Sequence, residues 1–128
     1  MTSASGKTIL VIEDHPDTLM FMSLALEKEG FSVIEATNGN DALSRIQGGE
    51  TPDLVLVDFC MPGCNGKEFI ERFRNQPGFE KTPVYFTSGW GDLDEVTRDC
   101  GAQGYIEKPV DLDKLINKVG EVLAPNAN

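Results

Sequence analysis

Asp53-Leu54-Val55-Leu56-Val57-Asp58, followed by Phe59-Cys60-Met61-Pro62-Gly63, decides the reading of this chain. Four consecutive apolar residues mark a strand covered on both faces, and Met-Pro-Gly marks the turn that follows it. Asp58 therefore stands as a lone carboxylate at the mouth of a buried strand, the position of a nucleophile. A second such run, Ile9-Leu10-Val11-Ile12, ends in Glu13-Asp14, and Gly104-Tyr105-Ile106-Glu107 ends in Lys108-Pro109. Three acids and one lysine converge on one end of the molecule.

Working outward, five short runs read as buried strands: Thr8 to Glu13, Ser32 to Ala36, Leu54 to Asp58, Val84 to Ser88 and Gly104 to Glu107. Segments of helical period separate them. Pro16 to Glu29 is apolar at Leu19, Met20, Leu24 and Leu26 and stops at Gly30. Asn38 caps a second helix carrying Ala42, Leu43 and Ile46 that stops at Gly48-Gly49. A third follows Asn65-Gly66 and packs through Phe69, Ile70 and Phe73. A fourth, near Asp92 to Cys100, is weakly patterned, and the last shows Leu112, Leu115, Ile116, Val119 and Leu123 at amphipathic spacing. Alternation of this kind requires parallel strands joined by right-handed crossovers, so the expected class is α/β, doubly wound. In such open sheets ligands bind beyond the carboxyl ends of the strands at the topological switch point, where Glu13, Asp14 and Asp58 fall.

The 128 residues are read as a single domain, 1–128, with a core from about 8 to 123. A net charge of -10 argues against direct binding of nucleic acid or an anionic membrane surface and favours a divalent cation. The sequence holds no apolar stretch of about 20 residues and no secretory signal, so no membrane insertion and a cytoplasmic location are expected. Cys60, Cys64 and Cys100 lack the spacing of a disulfide framework or a zinc site and read as reduced thiols.

Crowded carboxylates repel one another, and a hard, oxygen-seeking Mg2+ relieves that repulsion with one or two carboxylates as ligands. Glu13 and Asp14 are the expected ligands. Asp58 is ionised near neutrality and attacks phosphorus without a general base, giving an aspartyl phosphate. The metal, Lys108 and the hydroxyl of Thr87 would then neutralise or hydrogen-bond the transferred group. Ser88 competes with Thr87, but strand alternation lets only one neighbour face the site. His15, the only histidine, reads as a loop residue ahead of a helix that begins at Pro16. Gly6-Lys7-Thr8 precedes the first strand and is not a phosphate-binding loop.

At these residues the chain resembles a bacterial two-component response regulator receiver domain of the CheY-like kind, and a stand-alone one. The matching stretches are Ile9 to Asp14, Asp53 to Asp58 with Met61-Pro62-Gly63 and Gly66, Pro83 to Ser88, and Gly101 to Pro109. The resemblance implies a (βα)5 fold with a five-stranded parallel sheet in the order 2-1-3-4-5, and phosphorylation of Asp58 by the phosphohistidine of a sensor histidine kinase. It implies Mg2+ held by Glu13, Asp14, Asp58 and the backbone carbonyl of Cys60. It implies Thr87 and Tyr105 as switch residues that remodel the face built from the fourth helix, fifth strand and fifth helix, where a downstream protein target binds or a weak dimer forms, the chain otherwise being a monomer. The Lys108-Pro109 peptide is expected cis.

Such a domain is no conventional enzyme: it promotes its own phosphorylation and a dephosphorylation that Cys60 and Gly89, neither a water-positioning residue, make slow. Two other roles are compatible with the same residues. One is a phosphorelay intermediate exchanging phosphate with a histidine phosphotransfer protein; the other is a pseudo-receiver that binds partners without phosphorylation. A phosphatase of the haloacid dehalogenase type would need a second acid two residues after the nucleophile, where Cys60 stands, and a flavodoxin-like cofactor site would need a hydroxyl-rich loop after the first strand.

Overall fold

The apolar runs become strands and the periodic segments helices: β1 (Thr8–Ile12), α1 (Pro16–Lys28), β2 (Ser32–Ala36), α2 (Gly39–Gln47), β3 (Leu54–Asp58), α3 (Gly66–Arg74), β4 (Val84–Ser88), β5 (Gly104–Glu107) and a C-terminal helix, Leu112–Leu123. These come from a computed structural model that describes residues 6–59, 66–89 and 101–123. The expected helix at Asp92 to Cys100, the Met61-Pro62-Gly63 turn, the three cysteines and the chain after Leu123 lie outside the described residues.

All neighbouring strands pair in parallel, in the order β2-β1-β3-β4-β5. The register sets Ile12 beside Ala36 and Val57, Asp58 beside Thr87, and Ser88 beside Glu107. The carboxyl ends of the strands are thus level, and the residues just beyond them meet along one edge.

Strand alternation divides the core in two. Leu10, Ile12, Val55, Val57, Val84 and Phe86 pack with Leu43, Ile46, Phe69, Ile70 and Phe73 of α2 and α3. Ile9, Val11, Leu54 and Leu56 pack on the opposite face with Leu19, Met22 and Leu26 of α1 and Leu115, Val119 and Leu123 of the C-terminal helix. Each fully buried aliphatic side chain contributes roughly 1.5–3 kcal/mol relative to leaving it in water, so β1 and β3, covered on both faces, anchor the sheet.

Caps set the helix limits. Asn38 Oδ1 accepts a 2.7 Å hydrogen bond from the Asp41 N–H, as its place ahead of α2 predicts. Beyond α1, Gly30 adopts a φ of 96°, a conformation that glycine takes without steric penalty.

Two details differ from expectation. The buried stripe of α1 is Leu19, Met22, Ser23 and Leu26, whereas Met20 and Leu24 are exposed. Because α1 is apolar on nearly every side, composition hid its inward face, which the i, i+3, i+4, i+7 spacing from Leu19 selects. The edge strands β2 and β5 are only partly buried, since each has a neighbour on one side alone.

Candidate functional site

Glu13 and Asp14 leave β1 as its ladder ends, the Glu13 N–H still bonding to the Ala36 carbonyl at 3.0 Å. Asp58 is the last residue of β3, and Thr87 is its paired neighbour on β4. Lys108 follows β5 and is tied to β4 through its N–H, which donates to the Ser88 carbonyl at 2.8 Å. The Lys108-Pro109 peptide is cis, as expected. Four strands therefore place these side chains at one edge.

Lys108 Nζ donates a hydrogen bond to Asp58 Oδ2 at 3.1 Å and lies 2.9 Å from Glu13 Oε1. The second contact is one of charge rather than a well-directed hydrogen bond, and Glu13 Oε1 and Asp14 Oδ1 are buried oxygens that accept none. Glu13 and Asp58 are only 1% and 3% exposed, which makes these charges dependent on one another. Burial works to raise the Glu13 pKa, but the Lys108 ammonium and the bonds from His15 outweigh it and hold the carboxyl below its ordinary value. Burial likewise works to lower Lys108, and Glu13 and Asp58 reverse that and raise it.

His15 lies in the loop ahead of α1, as expected, and its side chain also joins this cluster. Its Nδ1 lies 2.9 Å from Glu13 Oε2 and 3.2 Å from Asp14 Oδ1, and its N–H donates to Glu13 Oε2 at 3.2 Å. Among the described residues, one ligand atom from each of Glu13, Asp14, His15 and Asp58 lies within 4.8 Å of all the others. The available signal was position: a residue between an acid pair and a helix-starting proline has little freedom to leave the strand end.

The remaining expectations stand as follows. Thr87 is buried beside Asp58, as strand pairing requires. Tyr105 is half-buried on β5 next to Phe86 and packs against the α2/α3 side of the core, outside the acidic cluster. Cys60 lies outside the described residues. Gly66, one residue of the motif after β3, is the tightest position near the site: its N–H donates to the Phe59 carbonyl, and an added Cβ would sit 2.9 Å from Phe59 Cα and 3.1 Å from the Asp58 carbonyl oxygen. No described helix is long and apolar enough to cross a membrane.

Residues 9–120 match the response regulator receiver domain family. The chain belongs to that family. It is 34% identical over 118 residues to Protein PilH of Pseudomonas aeruginosa, covering 91% of this chain and 97% of that protein. It is 31% identical over 125 residues to sporulation initiation phosphotransferase F of Bacillus subtilis, covering 96% and 98%. Several transcriptional regulatory proteins also match, and of these the chain spans only about half the length. The chemotaxis protein CheY4 of Vibrio cholerae superimposes with a TM-score of 0.87 at 25% identity, covering 93% of this chain and all of that one. Receiver domains bind Mg2+ at an acidic pocket, and Glu13, Asp14 and Asp58 form such a cluster in this receiver domain. The donor set fits the ion: oxygen ligands, among them Asp14 Oδ1, a buried atom that accepts no hydrogen bond.

Proposed function

We propose that this receiver domain accepts a phosphoryl group on Asp58 from a phosphohistidine and thereby changes its affinity for a protein target. The observation that carries the reading is Lys108, a cation held between Asp58 and Glu13 at the carboxyl ends of the strands. A carboxylate oxygen of Asp58 attacks phosphorus, the bond from phosphorus to the donor imidazole nitrogen breaks, and the electron pair stays on that nitrogen, which takes up a proton. Lys108 exchanges part of its contact with Asp58 for a non-bridging oxygen of the incoming group, so its charge serves before and after transfer. Thr87, paired with Asp58 and buried, supplies a hydroxyl on the β4 side. Mg2+ would be held by Glu13, Asp14, Asp58 and the Cys60 carbonyl and would supply charge neutralisation for the phosphoryl oxygens.

The working unit is one domain with its core at about 8 to 123, in the cytoplasm, with a sensor histidine kinase or histidine phosphotransfer protein as donor. The domain promotes its own phosphorylation without being a conventional enzyme, and Tyr105 on β5 relays the change toward the face expected from the fourth helix, β5 and the C-terminal helix. A relay role, in which phosphate passes on to another histidine, is supported by the end-to-end likeness to a relative named as a phosphotransferase.

Phosphorylation with a small phosphodonor and Mg2+, borohydride reduction of the acyl phosphate and peptide mapping test the assignment. Modification at Asp58 alone is expected; modification elsewhere, or none, contradicts it. Return of label from the phosphorylated chain to a histidine phosphotransfer domain would select the relay role over the terminal one.

A further inference from the structure

We propose that His15 is a fourth side-chain ligand of the metal, so that this site favours a first-row transition ion such as Mn2+ over Mg2+ more than its oxygen ligands alone would; the inference rests on the acidic cluster being the metal site. Metal–oxygen and metal–nitrogen bonds of about 2.1 Å place neighbouring ligands of an octahedron about 3.0 Å apart and opposite ones about 4.2 Å apart. Nδ1 of His15 lies 2.9 Å from Glu13 Oε2 and 3.2 Å from Asp14 Oδ1, and the four ligand atoms fall within 4.8 Å of one another. The two short separations match neighbouring ligands of such a shell, and the widest would have to contract by about 0.6 Å to match opposite ones.

Two further observations point the same way. His15 occupies the N-cap position of α1, yet its side chain makes no capping hydrogen bond and turns to the acids instead. Glu13 is almost wholly buried beneath it, and Asp14 Oδ1, the oxygen 3.2 Å from the ring nitrogen, is a buried atom that accepts no hydrogen bond. The ring is largely exposed on its other side, so it can exchange a proton shared with the acids for a metal without opening the core. Imidazole nitrogen is a poor partner for Mg2+ and a good one for transition ions, so one nitrogen donor shifts preference within an otherwise oxygen site.

The chain has one histidine, so any imidazole nitrogen on a bound metal identifies His15. Tag-free protein loaded with Mn2+ would be examined by pulsed EPR for nitrogen-14 modulation, and Mn2+ and Mg2+ affinities measured by calorimetry for the wild type, His15→Ala and His15→Asn. The expected result is nitrogen modulation in the wild type alone, Mn2+ still bound by both variants, and a Mn2+ to Mg2+ affinity ratio that falls about tenfold in each. Mn2+ bound by the wild type without nitrogen modulation, or a ratio unchanged by the substitutions, overturns the role of His15 while leaving the metal site standing. Failure of the wild type to bind either ion overturns both.

Discussion

Lys108 is the residue whose loss separates binding from chemistry. With Lys108→Ala, the rate of phosphorylation by a small phosphodonor is expected to fall about 10²–10³-fold, the usual consequence of removing one charge-stabilising group, while Mg2+ binds at least as tightly because a competing cation has gone. Parallel losses of rate and Mg2+ affinity would contradict that division. Glu13 makes a prediction about acid stability. Its carboxyl is held below the ordinary value of 4.5 in the folded chain, so its contribution to stability is fully present above about pH 4.5 and is lost as the pH falls through the folded value. In metal-free protein, urea unfolding should show wild-type stability declining more steeply below pH 4.5 than that of Glu13→Gln; parallel curves would count against the linkage. Asp58, Glu13, Asp14 and Lys108 were legible in the sequence because each ends an apolar run. His15 was legible only in its place ahead of Pro16; that place does not encode whether the ring caps the helix or turns back to the strand end, as it does.

At the scale of elements, the β3-to-α3 connection depends on a missing side chain. Gly66→Ala places a Cβ against the Phe59 backbone and the Phe86 ring, and such overpacking should destabilise the fold by about 1–3 kcal/mol, read from denaturant unfolding, with slower phosphorylation because Asp58 ends the same strand. A neutral Gly66→Ala would show that the approach is less tight. Helix α1 carries a second prediction. Phe21 and Leu24 are 59% and 58% exposed, and a groove of about 370 Å³ lined by Phe21, Met22, Pro109, Val110 and Leu112 reaches Lys108. Exposed apolar ridges of this kind mark interaction surfaces, and on the proposed reading the protein donor of the phosphoryl group docks over this one. Phe21→Ala should therefore slow transfer from a kinase or phosphotransfer domain about tenfold and leave the rate with a small phosphodonor unchanged; equal effects on both would place the ridge outside the donor interface. The inward face of the C-terminal helix was readable from Leu115, Val119 and Leu123, whose spacing stands against polar neighbours. That of α1 was not, because exposed Met20, Phe21 and Leu24 blur the same pattern.

At the scale of the whole molecule, the strand order β2-β1-β3-β4-β5 puts β1 and β3 side by side and so brings together acids 45 residues apart in sequence, Glu13 and Asp58. Alternation of apolar runs and periodic segments made the α/β class with parallel strands readable from the residues, whereas the strand order was implied by the likeness to receiver domains. The ionic pairings were harder to read, since they depend on distances of 3 Å that periodicity does not encode. The central claim is that this arrangement makes Asp58 a phosphoryl acceptor. Incubation with Mg2+ and acetyl phosphate, followed by intact mass measurement of the wild type and Asp58→Asn, tests it most directly. One added phosphoryl group on the wild type and none on Asp58→Asn is the predicted result; equal gain by both chains, or none by the wild type with Mg2+ bound, would contradict it.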